Sequence, residues 1–274
     1  ARSSANKKPM LKTQWDNTSF NFDIAAAQYD EVFTNSNIGL LQRYRVYHWL
    51  ETVNFFGLPK KIYEINCGTG YDAEQFHYRG HSVVATDGSA EMIKLAKTKR
   101  NSKIDFFQSD VATQKKFGNS QVLFSNFGGL NCIDSKELRL FAQDIAKKQS
   151  VGDLLIWVIM PKKCLMESIY FLLTFQFSKV FRRNTSKPTS VNLHDRAIPT
   201  FYHSPKELKI MLKKDYSIEL IKPVALFLPP SYMEGFFKRK KSMLRFLNLL
   251  ESIFGNISAA AAWSDHFILI AKKQ

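Results

Sequence analysis

The chain has 274 residues, enough for one large α/β domain or two small ones, and at 45% hydrophobic and 14% aromatic it can bury a sizeable core, which excludes wholesale disorder. Its net charge of +15 favours anionic partners (nucleic acid, a membrane surface, an acidic substrate or carrier protein) or else a basic surface that aids solubility. Cys67, Cys132 and Cys164 show no metal-binding spacing, so no metal is expected, and so sparse a set suits reduced thiols in a cytoplasmic setting.

The opening "ARSSANKKPMLK" is polar and basic, without the apolar core of a secretory signal, and residues 1–20 are expected to be a mobile tail. From about residue 60 strands and helices alternate. "KIYEIN" reads as a strand, and "YDAEQFHYR" as a helix stopped by Gly80. "HSVVATD" is a second strand, and Ser89 caps the helix "AEMIKLAKTKR". "KIDFFQSD" and "QVLFSNFG" are the third and fourth strands. "SKELRLFAQDIAKK" is helical by the spacing of Leu138, Phe141 and Ile145, and "DLLIWVIMP" is a fifth strand closed by Pro161.

After Pro161 the rhythm breaks. An apolar helix is expected over about 163–181. Glu167 and Gln176 interrupt it, so it is not read as a membrane span. The polar run "RRNTSKPTSVNLHDRAIPT" follows, then the helix "PKELKIMLKK", the strand "SIELIKPVALFL", a basic helical segment "GFFKRKKSMLRFLNLLESIF", and a last strand "HFILIAKK". The whole reads as one domain: an α/β, Rossmann-like, doubly wound and mostly parallel seven-stranded sheet. Residues 59–161 form the ligand-binding core, 162–260 a substrate-side or lid insertion, and 261–274 the closing strand. In such sheets ligands bind beyond the carboxyl ends of the strands, which directs attention to residues 64–70, Asp87 and Gly88, Asp110 and Val111, and Asn126 to Gly129.

The turn "EINCGTG" decides between ligand classes. A dinucleotide site wants G-x-G-x-x-G, but Asn66 stands at the first glycine and Ala73 at the third. Glu64, ending the first strand, would repel a pyrophosphate, and no G-K-[ST] follows to make a P-loop. S-adenosylmethionine fits better. It carries no phosphate, and its ammonium, sulfonium and ribose hydroxyls all suit carboxylates. Gly68 and Gly70 let the backbone pass close, Asn66 tolerates a left-handed turn, and Asp87 is placed to accept both ribose hydroxyls.

At these residues the sequence resembles the class I S-adenosylmethionine-dependent methyltransferases, most closely their small-molecule and lipid branch. "EINCGTG" is similar to the family's first motif, "VVATDGSAEM" to its second-strand motif, "FQSDV" to its adenine-binding step and "SNFGGLN" to its fourth-strand motif. Upstream, "FDIAAAQYDEVF" and "GLLQRYRV" resemble its N-terminal cap, which implies a helical cap over 21–58. The resemblance implies S-adenosylmethionine as cofactor, S-adenosylhomocysteine as product, and in-line displacement at the sulfonium methyl. It implies cofactor contacts from Tyr29 and Arg43 at the methionine end and from Glu64, Asn66, Cys67, Gly68, Thr69 and Gly70 at the first turn. Asp87, Gly88 and Met92 would follow from the second motif, Asp110 and Val111 at the adenine, and Asn126, Phe127 and Gly128 toward the substrate.

For the acceptor side the candidate bases are His194, beside Asp195, His203 and Tyr202; Tyr202 and Tyr232 are also candidate substrate contacts. "LPPSY" lacks the asparagine and the position of the Asn-Pro-Pro-Tyr motif of amino-methyltransferases, and reads as a rigid loop at the pocket mouth. The basic cluster from Lys238 to Arg245, beside an apolar stripe (Met243, Phe246, Leu247, Leu250, Ile253, Phe254), suits a membrane surface, an acidic carrier protein or lid packing. The expectation is therefore a cytoplasmic enzyme, peripheral to a membrane if that cluster docks there, acting on a largely apolar small-molecule or lipid-like acceptor. The alternatives are a nucleic-acid or protein methyltransferase docked by its charge, for which no binding module or interleaved basic and aromatic patch is evident, and a non-catalytic cofactor-binding regulator.

Overall fold

The computed structural model describes residues 14–111, 117, 119–193 and 196–274. His194 and most of the expected tail therefore lie outside the described residues. The core is one sheet. Strands β1 (Lys61–Ile65), β2 (Ser82–Asp87), β3 (Asp105–Gln108), β4 (Val122–Ser125) and β5 (Leu154–Ile159) run parallel. Further along the chain come β6 (Thr189–Leu193), β7 (Arg196–Thr200), β8 (Tyr216–Val224) and β9 (His266–Lys273). The sheet order is β3-β2-β1-β4-β5-β9-β8, with β9 antiparallel to both its neighbours. This is the mostly parallel seven-stranded sheet expected from the sequence.

Residue alternation sorts the strands onto two cores. Tyr63, Leu123, Leu155, Trp157 and Leu269 face one side, against α5 (Ser135–Lys148) and α7 (Pro205–Leu212). Ile62, Phe124, Ile156, Val158 and Ile268 face the other, against α2 (Asn37–Thr52), α3 (Tyr71–Tyr78) and α4 (Ala90–Lys99). Local signals end the helices where the sequence placed them. Ser89 Oγ accepts the Met92 amide at the start of α4, and Asp134 and Glu137 form a capping box on α5.

The insertion departs from the sequence reading in two places. The expected helix over 163–181 is only α6 (Leu165–Leu173); the chain then breaks at Phe175, whose φ is +57°. The polar run is a β-hairpin, β6 paired with β7, with Thr189 opposite Thr200 and Val191 opposite Ile198. Helices α8 (Glu234–Phe237) and α9 (Lys241–Phe254) complete the insertion, and α1 (Gln14–Tyr29) runs beside α4 and β7.

The first turn is tightly fitted. Asn66 holds φ +56° and Gly70 φ +76°. A Cβ on Gly70 would lie 2.6 Å from Phe106 Cε1 and 3.2 Å from Ala96 Cβ. Gly70→Ala is expected to destabilise the fold by about 2–4 kcal/mol, from a left-handed non-glycine residue and an overpacked core. A urea midpoint equal to wild type would show that the turn relaxes freely.

Candidate functional site

A cavity of about 420 Å³ opens at the carboxyl ends of β1, β2 and β4. Thirteen of the residues proposed from sequence line it: Tyr29, Asn66, Gly68, Asp87, Gly88, Met92, Asp110, Val111, Asn126, Phe127, Gly128, Tyr202 and Tyr232. They come together because the parallel strands all deliver their C-terminal loops to one edge. Gly129 lets the loop after β4 pass the first turn, since a Cβ there would lie 2.4 Å from Asn66 Cβ. Phe22, Val32 and Phe33, from α1 and the π-helical turn Asp30–Thr34, roof the cavity.

Asp87 holds the floor. Its Oδ2 accepts the Gly68 amide at 2.8 Å and its Oδ1 the Ser89 amide at 2.9 Å. Burial pushes its carboxyl up from 3.8 to about 6, although the Ser89 and Gly68 amides act to lower it. Tyr29 lies across the turn, with its ring carbon Cε1 3.4 Å from where a Cβ on Gly68 would sit, and stacks on Phe33 at 5.4 Å. Burial raises its phenol well above the ordinary range.

Five of the residues proposed for the cofactor are not in the lining. Glu64, expected beside the ligand, is buried under the turn. Burial, with Asp72 adding to it, holds its carboxyl well above the ordinary range, and its Oε2 has no hydrogen-bond partner. Arg43 is committed to Asp72, Nε to Oδ1 at 2.9 Å; Asp72 also accepts the Tyr47 hydroxyl and Asn126 Nδ2. Cys67 is buried in the core against α2 and α3. Thr69 donates its hydroxyl to Asp30, and Gly70 packs on Phe106. These residues shape the turn from behind.

His203, a candidate base, is also a correction. It is buried away from the cavity, with Nε2 3.1 Å from the Ile133 carbonyl and Nδ1 3.3 Å from Ser135 Oγ. Burial lowers its pKa, despite the bond to Ile133. Its place just before the N-cap Ser204 of α7 gives it a structural task, tying that helix to the loop after β4.

The sequence reading missed the histidine that does line the cavity. His266 opens β9, its Nδ1 3.1 Å from Asp265 Oδ2 and its ring edge-on to Phe127 at 5.5 Å. Asp265 in turn accepts Arg183 at 2.7 Å and Gln42 at 3.1 Å. Its own burial would raise it, but His266 and Arg183 hold its carboxyl well below the usual range. Arg183 also binds Glu167 at 2.8 Å, and Arg182 grips Glu167 with two bonds of 2.8 and 3.0 Å. The Tyr232 hydroxyl adds a third donor at 3.1 Å. Arg182, Arg183, Asp265 and His266 all line the cavity. The signal for His266 was the antiparallel insertion of β9 beside β5, which sets Phe267 opposite Ile159 and so brings the start of the last strand to the shared edge.

No curated protein sequence matches the chain. Among solved structures, a DhpI–SAH complex covers 96% of this chain and 98% of its own with a TM-score of 0.61 at 15% identity. The PH0226 protein of Pyrococcus horikoshii OT3 covers 90% and 99% with a TM-score of 0.56 at 12% identity. Magnesium protoporphyrin IX methyltransferase of Synechocystis PCC 6803, with bound SAH, covers 97% and 90% with a TM-score of 0.53 at 12% identity. At such identities these likenesses establish the fold. The family model described as a methyltransferase domain matches residues 62–148, the span from β1 through α5 that carries the glycine turn, Asp87, Asp110 and Asn126. That match and this sheet order support the resemblance to the class I S-adenosylmethionine-dependent methyltransferases.

Proposed function

We propose that the cavity binds S-adenosylmethionine and that the chain transfers its methyl group to a largely apolar small-molecule or lipid-like acceptor. One observation carries the reading: the turn at Asn66–Gly68, the Asp87 carboxylate and the acceptor-side residues Tyr232 and His266 line the same cavity. The site suits the cofactor chemically. Asp87 spends one lone pair per oxygen on amides and keeps others for ribose hydroxyls, and the buried Glu64 carboxyl has an unpartnered oxygen beneath the turn. Met92, Val111 and Phe22 offer apolar contact for a purine ring.

When bound, S-adenosylmethionine supplies an already activated methyl group on a sulfonium, so the protein's task is to position and to exclude water. Phe22, Phe33 and Phe127 shield the cavity from solvent. Tyr202 and Tyr232 orient the acceptor, and Arg182 and Arg183 hold that wall in place through Glu167. His266, with Asp265 behind its Nδ1, takes the place expected for His203: it is the cavity group suited to accept a proton from an acceptor hydroxyl. The largely apolar lining supports an apolar acceptor.

Asp87→Ala is expected to weaken S-adenosylhomocysteine binding by about 1.5–3 kcal/mol, the range for hydrogen bonds to a charged group. Titration offers a second check. The ligand wants the carboxylate, so a proton taken up near pH 6 competes with it, and affinity should fall roughly tenfold per pH unit below about 6. The folded state holds this proton more tightly than the unfolded chain does, so the ligand-free protein should lose stability as pH rises from 3.8 to about 6. An unchanged dissociation constant in folded Asp87→Ala, or an affinity flat from pH 7.5 to pH 5, would remove Asp87 from the site.

A further inference from the structure

The insertion leaves an unusual amount of apolar surface in water. Leu173 is 75% exposed, Phe175 80% and Phe177 64%, and Leu172 and Phe181 are exposed beside them. All five lie in the ten residues that end α6 and follow it, where the backbone turns at Phe175. Helix α9 behaves in the same way. It buries Leu244 and Glu251 and turns Met243, Phe246, Leu249 and Ile253 outward. At 3.6 residues per turn Phe246, Leu249 and Ile253 fall on the side opposite Leu244 and Glu251, with Met243 on the flank. The stripe that a lid helix would pack inward therefore faces out. The two segments adjoin: Tyr170 of α6 and Leu247 of α9 pack on the same small core of Ile38, Leu228, Met233, Phe237 and Leu244.

The charge around this surface has one sign. Lys179, Lys238, Arg239, Lys240, Lys241 and Arg245 are exposed at its edges. No carboxylate occurs in residues 168–193 or 235–250. The nearest acids are spoken for: Glu234 binds the start of α2 through Asn37 and Ile38, Glu251 accepts the Ala225 and Phe227 amides, and Glu167 holds the two arginines. An apolar face flanked by lysines and arginines on a short helix is the pattern of a segment lying in a membrane interface. Among the described residues no helix is long and apolar enough to cross a bilayer, which fits lying on one.

We infer that the insertion is a membrane-docking surface, with the 172–181 turn and the outer face of α9 seated among the headgroups of an anionic bilayer. The cavity lies directly behind it. Arg182 lines the cavity and follows Phe181 in the chain; Tyr232 lines it two residues before α8. An acceptor dissolved in the bilayer would then reach the cavity without crossing water, a corollary that rests on the methyl-transfer reading, whereas the docking itself does not.

The test is co-sedimentation of the full chain with vesicles of phosphatidylcholine alone or with about one third phosphatidylglycerol. Binding is expected to the anionic vesicles and to weaken as salt rises. Phe175→Ser with Phe177→Ser should reduce it about tenfold or more, and Lys241→Glu with Arg245→Glu should abolish the preference for phosphatidylglycerol. All four side chains are exposed, so melting temperature and S-adenosylhomocysteine affinity should match wild type. Failure to bind anionic vesicles overturns the inference, as does binding indifferent to both pairs of changes. A dimer that dissociates in the phenylalanine variant, without vesicle binding, assigns the patch to a second copy. Capture of an acidic acyl carrier protein in place of vesicles assigns it to a carrier. Vesicle binding together with no cofactor binding would leave the docking intact and sink the methyl-transfer reading.

Discussion

Glu167→Ala is expected to destabilise the protein by about 3–5 kcal/mol, the cost of breaking a buried ion network by removing one partner. Glu167 is buried and accepts four hydrogen bonds, two from Arg182, one from Arg183 and one from Tyr232. Burial alone would raise its carboxyl, but Arg183 and Arg182 hold it below the ordinary range, so it is charged at neutral pH. Without it Arg183, itself buried with Nε unpaired, keeps its hydrogen bonds to Asp265 and its stacking over the Tyr202 ring. The effect should also be local to one wall. The network joins α6, the segment after it and the start of β9, all on the acceptor side, so folded Glu167→Ala should bind S-adenosylhomocysteine nearly as well as wild type while acceptor turnover falls. Urea denaturation measures the first part. A loss under about 1 kcal/mol would mean that the arginines find water once the acid is gone, and that the network fastens nothing.

His266→Asn is expected to lower kcat by about 10²–10⁴ for a hydroxyl acceptor, the usual contribution of a positioned base, with cofactor affinity unchanged. His266 stands in the cavity wall beside Phe127, with Asp265 Oδ2 3.1 Å from Nδ1 but out of line for a hydrogen bond, and a Cβ on Gly128 would lie 3.6 Å from Nε2. The groups facing it are Asp265 directly, and Arg183 and Gln42 through Asp265. Asparagine keeps a polar contact but takes no proton. The readout that separates a base from a wall residue is the split between kcat and KM: loss of a base lowers kcat with KM for the acceptor unchanged, whereas loss of a wall contact raises KM. Full activity in His266→Asn would show that the acceptor needs no base, as with an amine or an acidic carbon.

The cofactor half of the site was legible because its signals are local. A glycine turn after a strand, an acid ending the next strand and an Asn-rich turn after the fourth are each confined to a few residues, and parallel strands carry them to one edge without further information. Asn66 could be read as left-handed from its residue type alone, and its φ is +56°. The acceptor half was less legible because it depends on non-local packing. His266 and Asp265 reach the cavity only because β9 inserts between β5 and β8. Glu64 and His203 looked available because sequence does not report burial; both proved to be enclosed. The β6–β7 hairpin was hidden by Asn192 and Pro199, residue types that mark loops in isolation, although Thr189, Val191, Ile198 and Thr200 carry the strand periodicity.

Whether the cavity built on the Asn66–Gly70 turn and Asp87 binds S-adenosylmethionine is decided by isothermal calorimetry with S-adenosylhomocysteine. A single site per chain is expected, weakened in Asp87→Ala and at low pH, with no comparable heat from NAD. No binding at about millimolar ligand, where even a 4 kcal/mol interaction would register, or tight binding of NAD instead, would contradict it.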